Sequence, residues 1–297
     1  MNTFLEQLVN GLGATGPILL VAVSLLTALA ATRVLNVAVG AVYALTAILA
    51  IRGAEHAGLG GFLLIALIVP AAILPAMDSL SLRWQRRRTD DVELGGFATT
   101  LGYSILITAI AAMITQSQTV ELPSSFLRVD HQIKLGSVTL QALSLVTLAV
   151  ALVLTATWSW SLRHTRAGKL YRALASDHQL AEVVGIRTGR IAVRAWAISG
   201  LFVGVATILL LLQSRSSSAY AGSSVLLTPF AAVIAGGMGN IRATVVVSFF
   251  FGIASSLLVM ITSSPAFQQI LVFGALFTLL VIRPEGFGGS ERSVRAY

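Results

Sequence analysis

Apolar residues come in long, nearly unbroken runs, without the strict alternation of half-buried strands or the 3.6-residue spacing of amphipathic surface helices. The runs lie at about 13–32, 34–51, 60–81, 94–116, 139–162, 191–213, 226–238, 243–262 and 266–282. A helix needs about 20 mostly apolar residues to cross the hydrocarbon of a bilayer. The run 34–51 is short and begins straight after Arg33; 226–238 is shorter still and dense in glycine. Both are expected to be half-helices or broken helices. The pattern predicts an all-α, polytopic transmembrane bundle, one domain over 1–297, with nine spans if 226–238 crosses and eight if it re-enters.

The intervals between runs set the expected sidedness. Segment 82–93 carries Arg83, Arg86, Arg87 and Arg88, and segment 163–190 carries Arg163, Arg166, Lys169, Arg172, Arg187 and Arg190 against Asp177 and Glu182. Cytoplasmic loops concentrate such residues. Segments 52–59, 117–138 and 214–225 are poor in basic residues and are expected outside. With nine spans the N-terminus is expected outside, and the tail with Arg283, Arg292 and Arg295 inside. Residues 1–10 lack the basic region of a secretory signal, so the first run is expected to be retained.

Composition adds exclusions. Of 297 residues, 56% are hydrophobic and 11% charged, against about 25% charged in soluble domains. A net charge of +8 is accounted for by loops facing the cytoplasm, so nucleic acid is not an expected partner. With no cysteine and four scattered histidines, no metal site is expected. Charged residues are missing from the middle of every run, which leaves little for a proton relay. No nucleophile elbow, zinc motif or phosphate-binding loop is present. The chain is therefore not expected to be an enzyme, and any power source must be another subunit.

Within 163–190, Ser176-Asp177-His178-Gln179 fits a capping box with Ser176 as N-cap and Gln179 at N3. Asp177 then complements the helix dipole, and Gly185 is placed to stop the helix. A two-turn helix over 177–184 with an apolar face results. It either lies flat among lipid headgroups or docks a soluble partner. Gly200 and Gly204 form a GxxxG, read as close packing within the bundle.

The stretch Arg172–Ile186 resembles the coupling loop of LivH-type permeases, subunits of ABC importers for branched-chain amino acids. Gln179, Leu180 and Ala181 fall on the E-A-A positions of the importer loop, with Gly185 on its glycine. Gln for Glu and Leu for Ala are departures. Leu35-Asn36-Val37-Ala38-Val39-Gly40-Ala41-Val42-Tyr43 resembles the family's N-F-A-x-G segment, with Val37 in place of the Phe, Ala235-Gly236-Gly237-Met238-Gly239-Asn240-Ile241 its G-G-x-G-[SN], and Arg283-Pro284-Glu285-Gly286-Phe287 its R-P-x-G ending.

The resemblance implies a second permease of the LivM type, two cytoplasmic ATPases that bind ATP and magnesium, and an extracytoplasmic binding protein. This chain itself would hold no cofactor. Arg172, Ser176, Asp177, Gln179, Ala181 and Gly185 would form the ATPase-coupling element. Asn36, Gly40, Tyr43, Gly236, Gly237 and Asn240, in the two short glycine-containing runs, would border the pathway, since broken helices expose backbone groups to a cavity. Tight helix packing is the other reading of those glycines. Branched-chain or similar small amino acids are the default cargo. A stand-alone channel or facilitator for a small amphiphilic solute is the alternative.

Overall fold

The computed structural model describes residues 2–82, 92–123, 126, 132–135, 138–237, 239–262 and 266–282. The arginines at 83 and 86–88, Met238, the Arg283–Gly286 motif and the tail lie outside the described residues. Among the described residues, ten α-helices carry the fold: α1 (Asn2–Thr32), α2 (Ala38–Met77), α3 (Val92–Thr115), α4 (Ala142–His164), α5 (Arg166–Ser176), α6 (His178–Val183), α7 (Thr188–Ser214), α8 (Ala221–Gly236), α9 (Ile241–Thr262) and α10 (Ala266–Ile282). A π-helical turn, Asp78–Leu82, ends α2. Six helical stretches among these residues are long and apolar enough to cross a membrane; α8 and the apolar part of α10 are shorter.

The expected all-α bundle is observed, with two corrections at the loops. Two small antiparallel ribbons interrupt it: β1 (Val120–Glu121) with β4 (Ser216–Ser217), and β2 (Gln132–Leu135) with β3 (Val138–Gln141). The helix expected from residue 139 therefore starts at Ala142, because the β-branched and alternating Val138–Gln141 segment pairs as a strand.

The second correction concerns 52–59, which is not a loop. Helix continues through it, and only Ala57 (φ −129°, ψ 16°) and Gly58 (φ 58°, ψ −143°) leave helical geometry. Glycine takes a positive φ without a Cβ clash, so the reversal falls there. The reversal is sharp. Gly53 and Gly61 would be about 12 Å apart along a straight helix, yet a Cβ on Gly61 would lie 2.6 Å from the Gly53 carbonyl oxygen. The runs 34–51 and 60–81 are thus two arms of one hairpin.

α1 occupies the centre. Residues Leu19 to Ala28 on it are all buried, so it is apolar all round, as a helix enclosed by others must be. α7 packs on the second arm of α2 through its GxxxG: a Cβ on Gly200 or Gly204 would strike the carbonyl oxygens of Pro70 or Ala66. Hydroxyls tie the layers together, with Ser24 of α1 and Ser199 of α7 at 2.7 Å and Thr147 of α4 reaching the Gly13 carbonyl at 3.2 Å. The outer helices turn large apolar side chains outward, among them Ile105, Met113, Val153, Phe250 and Phe277. Such a surface suits lipid and not water.

Candidate functional site

Two ends of the bundle can be told apart. At one, β1 follows α3 and pairs with β4, which follows α7. Arg215, left-handed at φ 57°, donates through its guanidinium to the carbonyls of Pro123 (3.1 Å) and Phe126 (2.9 Å). At the other end, the residues after α1, the start of α3, the end of α4, α5 and the α8–α9 turn surround one cavity of about 1080 Å³. α8 starts beside β4 and its following turn lies in that cavity, so it connects the two ends.

The cavity end holds the segment expected to be a coupling element. The sequence pattern predicts one short helix in this interval; the structure adds α5 before it. Thr165, extended at ψ 155°, caps it by accepting from the Gly168 amide at 2.9 Å. Tyr171 and Leu174 are buried three residues apart, one helical face turned to the bundle. The Tyr171 hydroxyl donates to the Thr27 carbonyl of α1 at 2.7 Å, and its ring meets Trp158 edge-on at 5.9 Å. Burial raises the Tyr171 phenol above its ordinary pKa.

The capping register of α6 is shifted by one from that expected. Ser176 ends α5, its hydroxyl bonded back to the Ala173 carbonyl at 2.9 Å. Asp177 is the N-cap: it is extended (φ −151°, ψ 111°), and its carboxylate accepts from the Leu180 amide at 3.0 Å. The helix of α5 consumes Ser176, and a carboxylate at a helix N-terminus gains from the dipole as well as the hydrogen bond. Leu180, not Gln179, stands at N3.

At the other end of α6 the expected stop is present. Gly185 has φ 84°; its amide donates to the Glu182 carbonyl at 2.9 Å and the Ile186 amide to the Ala181 carbonyl at 3.0 Å. These are the two bonds of a Schellman motif. Thr188, at the start of α7, donates to Glu182 at 3.0 Å. Ala181 is buried with Leu162, Tyr171, Leu174 and Ala195. Leu180, Val183 and Val184 instead face outward, 60%, 84% and 71% exposed. A short helix is thus clamped on one side and bare and apolar on the other.

The residues expected along a pathway fall in two places. Asn36 is fully buried; its Oδ1 accepts from the Ala38 amide at 3.0 Å and starts α2, while its Nδ2 has no partner among the described residues. Gly40 meets the Gly222 carbonyl of α8 at backbone contact, and Tyr43 approaches Ser217. At the far end of α8, Gly236 packs on Thr244, with a Cβ there 2.7 Å from its hydroxyl. Gly237 caps α8 at φ 86°. Asn240 caps α9 by accepting from the Ala243 amide at 3.2 Å and lines the cavity. Of these six residues only Asn240 lines it; the glycines make close backbone contacts or turns.

Of the cavity's arginines, the sequence pattern singles out Arg33 only as the boundary of a run and Arg163 only as a marker of sidedness, and it gives Arg242 no role. Their positions at run ends were the available signal. Among the described residues no three His, Cys, Asp or Glu side chains group as a metal site would need.

Comparison with known proteins now bears on this geometry. The sequence model of a family described as "Branched-chain amino acid transport system / permease component" matches residues 7–281. The chain belongs to this permease family. It is 26% identical over 299 residues to the high-affinity branched-chain amino acid transport system permease protein LivH of Escherichia coli (strain K12), covering 96% of each chain. It is 23% identical over 298 residues to BraD of Pseudomonas aeruginosa, again over 96% of each. A probable LivH of Methanocaldococcus jannaschii is 29% identical over 133 residues, 43% of this chain and 42% of that one. No solved structure matches. The permease is a multi-pass inner-membrane protein and the membrane-spanning transport subunit of an ABC importer.

Proposed function

We propose that this permease forms half of an import pathway for branched-chain or similar small amino acids, and that α6 is the element through which cytoplasmic ATPases drive it. The single observation that carries the coupling role is the mounting of α6. It is capped at Asp177, stopped at Gly185 and tied to α7 through Glu182–Thr188, yet it presents Leu180, Val183 and Val184 to the outside. Covering such side chains yields roughly 1.5–3 kcal/mol each, which rewards a partner with a matching groove. Flat insertion among headgroups explains the apolar face but leaves the rigid mounting without a use.

In this reading the α5–α6 end is cytoplasmic, the N-terminus outside and the tail inside. A second permease of the LivM type completes the pathway, two ATPases carry ATP and magnesium, and a binding protein delivers cargo to the β1–β4 end. The chain itself performs no catalysis and holds no cofactor. Asn36, Gly40, Tyr43, Gly236, Gly237 and Asn240 border the path on the side of α8.

Affinity purification of the tagged chain from its native membrane, with mass spectrometry of the co-purifying proteins, tests the assembly. ATPases and a second permease are expected; recovery of this chain alone, where a control importer stays intact, favours a facilitator. Leu180→Arg with Val183→Glu then tests the element. Both side chains are exposed, so the bundle should fold normally while substrate-stimulated ATP hydrolysis disappears. Unaltered stimulation would refute the assignment.

A further inference from the structure

The cavity beside α5 has a composition that amino-acid transport does not call for. Its volume, about 1080 Å³, stands at the top of the range of roughly 300–1,000 Å³ for small-molecule sites. Four arginines from four places in the chain surround it: Arg33 after α1, Arg163 at the end of α4, Arg172 on α5 and Arg242 in the first turn of α9. Among the described residues, Glu93 is the one acidic side chain on the same wall. No ion pair or hydrogen bond from these four side chains is found among the described residues. Like charges around one space repel, and an anion between them relieves the cost.

Two further features ask for an acceptor. Arg172 Nε and Trp158 Nε1, on residues lining the cavity, are enclosed and lack a hydrogen-bond partner among the described residues. α9 also begins at the cavity wall, and a helix N-terminus favours negative charge. The remaining wall is apolar, including Leu26, Leu94, Phe97 and Leu162. A free phosphate ion would satisfy the arginines and leave that wall wet. The cavity sits where α1 and α4 end and α3 begins, the level at which headgroups lie.

The geometry points to an anionic phospholipid held in this cavity, its phosphodiester among Arg33, Arg163, Arg172 and Arg242 and an acyl chain along the apolar wall. Basic pockets between membrane helices take such headgroups, and arginine matches phosphate oxygens in pairs. The occupant bridges α1, α4, α5 and α9, and so braces the mount from which α6 extends. That bracing role rests on the coupling reading; the binding does not.

The test uses the affinity-purified assembly in detergent, stripped of lipid and titrated with brominated-chain phosphatidylglycerol or phosphatidylcholine while tryptophan quenching is followed. Saturable quenching by phosphatidylglycerol alone is expected. Arg33→Gln with Arg242→Gln should weaken it roughly 20- to 30-fold, from about a kcal/mol per basic residue. Arg33→Lys with Arg242→Lys, which keeps the charge and loses the paired hydrogen bonds, should restore it in part, which separates lost binding from lost folding. Arg187→Gln with Arg190→Gln, at the start of α7 and outside the cavity lining, should leave it unchanged. Equal quenching by phosphatidylcholine, or an equal loss in the Arg187 and Arg190 pair, overturns the site. Displacement of phosphatidylglycerol by inorganic phosphate overturns the lipid in favour of a free anion. No arm depends on ATP hydrolysis, so failure of the coupling reading is seen separately.

Discussion

Tyr171 joins a helix outside the membrane to the central span with one hydrogen bond, 2.7 Å long, to the Thr27 carbonyl. Because burial raises its pKa, the phenol keeps its proton at neutral pH, and its contribution falls only above the ordinary tyrosine value of about 10. Tyr171→Phe should therefore lower stability by about 1 kcal/mol, with no new pH dependence between pH 6 and 9, as read by thermal unfolding of the purified assembly. The ring contact with Trp158 survives that change. Glycines offer a sharper contrast. Gly200→Leu drives a side chain into the Pro70 backbone, and overpacking costs about 1–3 kcal/mol or more, so monodisperse protein should be lost in size-exclusion runs. Gly102 on α3 has open space around its Cβ position; Gly102→Ala should be neutral or stabilising by about 0.5–1 kcal/mol.

At the scale of elements, α6 has six residues, too few to persist without its caps. Asp177→Ala should cost about 1 kcal/mol, and Gly185→Val, at φ 84°, about 1–2 kcal/mol. Both should reduce substrate-stimulated ATP hydrolysis of the assembly while the unfolding temperature of the bundle stays near wild type. Equal stimulation in both would disconnect α6 from coupling. The stop at Gly185 was readable in the chain because few residues accept a positive φ. The start was misread at Ser176, since α5 runs into that residue and its hydroxyl serves Ala173. α5 itself escaped notice because its buried face is only Gly168, Tyr171 and Leu174, set among basic residues that read as a loop.

For the whole molecule, the arrangement of ends is the testable quantity. The chain contains no cysteine, so single introduced cysteines report cleanly. Val184→Cys and Ser223→Cys, both at exposed positions, should label from opposite sides of the membrane in intact cells. Ser217, although in the expected outer segment, is buried in the β1–β4 ribbon and would label poorly. Same-side labelling of the first pair would contradict a crossing by α7, the one long helix between the two positions.

What the sequence alone determined is the class of molecule and the places where its backbone must bend or stop. Unbroken apolar runs leave no soluble fold available, since backbone groups in hydrocarbon are satisfied only within helices or closed barrels. Positive-φ glycines such as Gly185 mark themselves, and most of the nine runs predict the helical arms to within a few residues, although α1 begins at Asn2, well before its run at 13. Tertiary structure decided what those arms meet. Apolar residues on a membrane helix look alike whether they face lipid or a neighbour, so the central place of α1 was not legible. The same holds for Gly40, whose close contact is with Gly222, 182 positions away. The meeting of Arg33, Arg163, Arg172 and Arg242 around one cavity follows from packing between distant segments, for which the linear order carries no signal.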